Sequence, residues 1–241
     1  MTIHRSTLAT ISQAMFSYLE SLHLDTHAIF NRAGLDANDA FDPAARFPTY
    51  ATTRLLQIAI RETGEECIVY RMMSYFDITM AHAMGYAWLA SRNLHEALSR
   101  FVRYHRMLSS NVEVSLERAQ GSWQLNGKLI DTGQRVANEG VLIFCFQMCR
   151  LSYGKDLVPL NVQLTRARPL DPSPILDFYR CNVEFGCPEN IILFNPSDIG
   201  NKQRGANPTV VLSQGSNSEH NLLNNNVLIE HGPSLSPQKC P

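Results

Sequence analysis

The hydrophobic pattern changes its period between residues 93 and 129, and this change constrains the fold more than any other feature. From Asn93 to Leu108 apolar side chains recur at steps of three and four, which predicts an amphipathic helix with one core face. Over 112–129 they alternate, turn at Gln120-Gly121 and alternate back, which predicts a β-hairpin. Helical and strand periods that follow each other in this irregular order favour an α+β domain over a regular βαβ array.

Helical patterns dominate the chain before this point. The apolar spacing predicts a helix over 7–23, and Asp25 and Gly34 have the residue types that begin and end a second helix. The other expected elements are a helix from Thr49 or Thr52 to Gly64, a helix over 66–73, a helix over 134–152 and a strand over 161–166. We therefore expect a helix-rich N-terminal half with hairpins and a small mixed sheet packed on helices.

The segment FYRCNVEFGCPENIILF, 178–194, predicts a second hairpin. Val183 and Phe185 alternate on one face, 186–190 supply turn residues, and Ile191 with Leu193 resume the alternation.

Three segments together resemble one known family. They are SLHLDTHAIFNRAGLD at 21–36, GYAWLASRNLHEALSRFVRYHRMLSS at 85–110, and the segment 178–194. With them, the chain from about Ser17 to Ile199 resembles the N-terminal effector-binding domain, of the arabinose-binding type, of AraC/XylS transcription regulators. The resemblance implies a domain that binds a small organic effector and usually self-associates.

The composition changes at Gly200. We expect residues 1–199 to form the effector-binding and dimerisation domain, and 200–241, rich in Asn, Ser and Gly, to form an irregular tail. Regulators of this family carry two helix-turn-helix units, which need roughly 100 residues. The tail is shorter, so we expect the DNA-binding module to be missing. Either a truncation or a frameshift after about Val211 would account for this.

The formal net charge of −1 gives no global attraction to nucleic acid, so we expect no specific DNA binding by this chain alone. No apolar run is long enough to predict a membrane span, and no signal peptide is evident. The six cysteines form no CxxC pair and favour reduced thiols. These features predict a cytoplasmic protein.

Aromatic and histidine side chains on otherwise apolar elements indicate an effector pocket walled by 78–108 and 141–148. The candidate effector-binding residues are His82, Tyr86, Trp88, Tyr104, His105 and Met148. Each of them could instead be an ordinary core residue, His105 as a hydrogen-bonded core histidine. We expect no cofactor and no metal site, because the pairs His23/His27 and Cys145/Cys149 are incomplete ligand sets.

The sequence thus predicts a small-molecule-sensing regulatory domain that forms a homodimer. The helix over 134–152 supports pairing, since its apolar residues point in several directions and some should meet the sheet or a second subunit. A stand-alone binding or dimerisation protein that acts through a partner remains an alternative. An enzyme with a His-containing pocket is less well supported, because the standard nucleophile, phosphate-binding and zinc motifs are absent. We therefore predict that the chain is not an enzyme.

Overall fold

The computed structural model describes residues 5–119, 121–130, 138–154 and 156–200. The described helices are α1 (Gln13–Ser21), α2 (Thr26–Ala33), α3 (Thr49–Thr63), α4 (Ile68–Met72), α5 (His82–Leu89), α6 (Leu94–Tyr104), α7 (Gly140–Tyr153), α8 (Ser173–Tyr179) and α9 (Pro196–Gly200). The strands are β1 (Ser6–Leu8), β2 (Arg46–Pro48), β3 (Val112–Ala119), β4 (Ser122–Leu129), β5 (Asn161–Leu164), β6 (Val183–Phe185) and β7 (Ile191–Phe194). This arrangement is α+β, as predicted. The tail expected over 200–241 lies outside the described residues, apart from Gly200.

The larger sheet has five strands in the order β3-β4-β7-β5-β6. All neighbouring pairs are antiparallel except β5 and β6, which are parallel, so the sheet is mixed. The predicted hairpin over 112–129 is confirmed as β3 and β4, paired from Val112 with Leu129 to Ala119 with Ser122.

The second predicted hairpin, 178–194, is wrong in its pairing. Both strands exist, but β5 lies between β6 and β7. The turn residues bond to the end of β5 instead of closing a hairpin: Gly186 N donates to Arg166 O at 2.9 Å, and Cys187 N donates to Leu164 O at 3.0 Å. Alternation fixes which side chains share a face but not which strand lies beside which.

The helix predicted over 7–23 begins only at Gln13. Before it, Ser6–Leu8 form β1, which pairs antiparallel with β2. On its other side, Leu8 N donates to Leu108 O at 2.7 Å. The first strand is therefore held between two distant segments, and these contacts override the local helical pattern.

The predicted end signals are confirmed for α2 at both ends and for α3 at its C-terminal end. Asp25 Oδ1 accepts a hydrogen bond from Ala28 N at 2.9 Å, and α2 ends at Gly34 with φ of 82°. Gly64, with φ of 71°, ends α3 in the same left-handed conformation. The expected threonine cap of α3 is wrong, however. Thr49 is the first helical residue and follows Pro48, whose fixed φ suits a helix start without a side-chain cap.

Helix α7 is surrounded by the domain. All but one of its residues from Val141 to Cys149 are buried, including Phe144, Phe146 and Met148. Its apolar residues point in several directions because the helix runs through the core. The described part of this helix therefore offers no spare apolar face to a second subunit; 134–137, where the prediction began, lie outside the described residues.

The buried side chains of the described residues form two clusters. The first is built on α1, α2 and α3, and the second on α5 to α8 and the five-stranded sheet. Val69 and Met72 of α4 pack against both. No helix within the described ranges is long and apolar enough to cross a membrane.

Candidate functional site

A cavity of about 200 Å³ lies where the two clusters meet. Its wall combines residues of β1, α1, α3, α4, α6 and α7 with the strands β3 and β4. The apolar part of the wall consists of Ile11, Met15, Leu55, Leu56, Val69, Met72, Met73, Phe101, Leu108, Val112, Leu129, Val141 and Phe144. A mainly apolar cavity with a few polar groups is the usual form of a small-molecule site.

The start of α3 supplies the main polar face of the wall. Thr49, Thr52, Thr53 and Leu56 follow the i, i+3, i+4, i+7 spacing of one helix face, and all four line the cavity. The hydroxyls of Thr52 and Thr53 donate to Thr49 O at 2.9 and 3.0 Å. The hydroxyl of Thr49 is buried and has no hydrogen-bond partner among the described residues.

A second polar group lies where β1 meets the segment after α6. Thr7 and Ser109 both line the cavity, and their hydroxyl oxygens are 3.0 Å apart. Asn111 also lines it, and its Oδ1 accepts a hydrogen bond from Arg5 Nη1 at 3.0 Å. These groups bond to protein partners, so they hold the two segments together in the cavity wall.

His105 lies in the wall between α6 and β3. Its Nδ1 is 2.8 Å from Val102 O and its Nε2 is 3.1 Å from Val112 O. A neutral imidazole has one N–H and can donate to only one of these carbonyls. Both ring nitrogens thus face the backbone, and the ring offers the cavity its carbon atoms.

Of the predicted pocket residues, His105 lines this cavity. Trp88 and Met148 are fully buried in the core, and Trp88 Nε1 donates to Ser152 Oγ at 2.9 Å. Tyr86 is 48% exposed, and Tyr104 is half-buried beneath the guanidinium of Arg103. His82 adopts a positive φ of 46°, and its buried Nε2 has no partner among the described residues. The structure does not bring these five side chains together around one space.

The two predicted wall segments contribute in part. Phe101, His105 and Leu108 come from 78–108, and Val141 and Phe144 come from 141–148. The threonine face of α3 lies outside both predicted wall segments. The sequence does contain a pattern that indicates this face. Three threonines at helical spacing precede Leu56, so polar residues interrupt a stripe that is otherwise apolar.

A buried ion pair fixes the start of α7 beside the cavity. Arg166 donates from Nη1 to Glu139 Oε1 and from Nη2 to Glu66 Oε1, each at 2.9 Å. Burial raises the pKa of the Glu139 carboxyl, while the Arg166 guanidinium acts in the opposite direction. The next residue, Gly140, begins α7 and lines the cavity. The pair therefore positions one end of the wall.

The described side chains that could bind a metal ion do not cluster. Among the described residues, no three His, Cys, Asp or Glu side chains come close enough to hold a metal ion. The cysteines at 67, 145, 149, 181 and 187 are free thiols.

Comparisons with known proteins agree with this architecture. A family model described as the arabinose-binding N-terminal domain of AraC transcription regulators matches residues 24–202. The crystal structure of the transcriptional regulator CdpR from Pseudomonas aeruginosa superposes with a TM-score of 0.61 at 13% identity, covering 93% of this chain and 72% of that one. Curated protein sequences give no significant match.

Proposed function

Because the chain belongs to the family of arabinose-binding N-terminal domains of AraC transcription regulators, we propose that it is a small-molecule-sensing regulatory domain. The observation that carries this proposal is the cavity between the two hydrophobic clusters. A regulator needs a ligand to favour one arrangement of the protein over another. A molecule bound at the junction of two cores contacts both and can bias how they pack.

The cavity, with His105 in its wall, is the proposed effector site. Five of the predicted residues lie outside this wall: His82, Tyr86, Trp88, Tyr104 and Met148. Trp88 supports the wall from behind, because it packs edge-on against Phe101, with ring centroids 6.0 Å apart, and Phe101 lines the cavity.

A thermal-shift screen of small metabolites against the full chain tests the proposal. A compound that binds only the native state raises the melting temperature. Thr52→Phe places an aromatic ring in the cavity wall and should abolish the shift. Gln57→Phe adds the same ring on an exposed position of α3 and should leave the shift intact. Equal shifts in the two variants would place the binding site elsewhere.

We also propose that the protein forms a homodimer, because a regulator that reads two half-sites benefits from two-fold pairing. The described part of α7 is buried within the domain, so the pairing surface must lie on other elements. Light scattering over a dilution series should show a mass above 27.1 kDa. A mass that stays at 27.1 kDa up to tens of micromolar would exclude pairing.

The near-neutral charge supports the further prediction that this chain alone does not bind specific DNA. Gel retardation with promoter DNA at physiological salt should show no shift at micromolar protein. A sequence-specific shift under these conditions would contradict the prediction.

A further inference from the structure

The cavity carries no charged wall. None of the described residues that line it is Asp, Glu, Lys or Arg. A buried carboxylate or ammonium group of a ligand is strongly disfavoured without a partner of opposite charge. The wall therefore selects against ions.

Few hydrogen-bond donors of the wall are left for a ligand, although the bonded hydroxyl oxygens can still accept. The hydroxyls of Thr52 and Thr53 bond to α3, and those of Thr7 and Ser109 lie within hydrogen-bond distance of each other. Both nitrogens of His105 face backbone carbonyls. By contrast, the buried hydroxyl of Thr49 has no partner among the described residues and can accept or donate one hydrogen bond.

A sugar does not suit such a wall. A pentose carries several hydroxyl groups, and each one that enters the cavity exchanges bonds with water for contacts with apolar side chains. Buried polar groups that find no partner lower affinity, and a wall with few free donors leaves most oxygen atoms of a polyol without one.

The volume bounds how much of a ligand the cavity can bury. An apolar cavity of about 150 Å³ in another protein holds one benzene molecule. The present cavity, at about 200 Å³, suits a single ring with a short substituent, or an aliphatic molecule of similar size.

We infer that the effector is a neutral, mainly apolar small molecule, about the size of a substituted benzene, with a hydrogen-bonding group that meets the hydroxyl of Thr49. It is not arabinose or another polyol, although the family is described by arabinose binding. This inference rests on the proposed function, because it assigns the ligand of the same cavity.

Calorimetric titration of the full chain with 4-ethylphenol, ethylbenzene and L-arabinose tests it. We expect both aromatic compounds to bind and arabinose not to bind. Thr49→Val keeps the shape of the side chain and removes the hydroxyl, so it should weaken 4-ethylphenol about tenfold and leave ethylbenzene unchanged. Thr63→Val, on the same helix but outside the cavity wall, is the matched control and should change neither affinity.

The possible outcomes separate this inference from the proposal on which it rests. Arabinose binding that Thr52→Phe abolishes would overturn the inference and leave the sensing function standing. Aromatic binding that Thr49→Val leaves unchanged would overturn the assigned hydrogen bond. If neither these probes nor any screened metabolite binds in a manner sensitive to Thr52→Phe, the proposed function fails as well.

Discussion

Thr7 and Ser109 are separated by 102 positions in the chain, yet their hydroxyl oxygens lie 3.0 Å apart. Backbone hydrogen bonds join the same two segments: Leu8 N donates to Leu108 O, and Ser110 N donates to Ser6 O. Strand β1 thereby joins the first hydrophobic cluster to the segment that leads from α6 into the five-stranded sheet. Thr7 and Ser109 line the cavity, so its integrity depends on contacts between segments that are far apart in the chain.

The Arg46 side chain forms hydrogen bonds to both segments of this junction. Its Nε donates to Ser6 Oγ at 2.9 Å and its Nη1 donates to Met107 O at 2.8 Å. Hydrogen bonds from a charged donor are stronger than neutral ones, and partial exposure reduces their net contribution. We expect Arg46→Ala to lower the free energy of unfolding by about 1–2 kcal/mol in urea denaturation. Arg106→Ala removes an exposed guanidinium near the same junction and should change it by less than about 0.5 kcal/mol.

The buried carboxylate of Glu139 should make stability depend on pH. Burial raises its folded-state pKa, so between the usual glutamate pKa and that raised value the unfolded chain holds fewer protons than the folded one. The contribution of Glu139 to the free energy of unfolding is therefore fully present below the usual glutamate pKa. It declines as pH rises through this window and is level above it.

Denaturation at a series of pH values measures this effect. Glu139→Gln should remove the decline, because the amide does not titrate. Glu66→Gln is the matched control, since Glu66 bonds the same Arg166 but is 57% exposed. If Glu139→Gln and Glu66→Gln give the same pH profile, the buried carboxylate is not the cause.

Buried and exposed positions of α7 should respond differently to substitution. Phe146 is fully buried and contacts the rings of Phe178, Tyr179 and Phe194. Phe146→Ala should lower the free energy of unfolding by about 3–5 kcal/mol, since the ring leaves a cavity in the core. Leu151→Ala, on the same helix but 46% exposed, should cost well under 1 kcal/mol.

Protein concentration distinguishes a core role from an interface role. A core role for Phe146 predicts a destabilisation of the same size at every protein concentration, as measured by denaturation. A destabilisation by Phe146→Ala that disappears at low concentration would instead place this side chain in a subunit interface.

Local rules predicted much of the fold. The stripe of α6 is correct because Leu94, Leu98 and Phe101 repeat at helical spacing and all three are buried. Asn93 Oδ1 caps this helix by accepting a hydrogen bond from Glu96 N at 2.8 Å, which a short sequence window can reveal.

The rest of the fold depends on contacts between residues that are far apart in the chain. Nothing between Val183 and Phe194 indicates that β5 separates their strands, because that order depends on how all five strands pack. The cavity is even harder to predict from the sequence, since its wall combines residues of both clusters and no single element contains the whole pattern. The sequence pointed to His105 through the apolar stripe that continues past the end of α6, but the threonine face of α3 becomes a wall only once α7 and β1 lie nearby.

Gly85 opens the segment that carries much of the family resemblance, and its lack of a side chain is a packing requirement. A Cβ at this position would clash with the carbonyl oxygen of Ile78, a backbone atom that cannot turn aside. We expect Gly85→Ala to lower the melting temperature strongly, because α5 or the preceding turn must shift. Gly140→Ala is the matched control: a Cβ at the start of α7 meets nothing within 4 Å. Alanine also has the better helix propensity, so this variant should be neutral or stabilised by up to about 1 kcal/mol. Thermal unfolding of the two variants measures the difference, and equal melting temperatures would show that α5 does not pack this closely against Ile78.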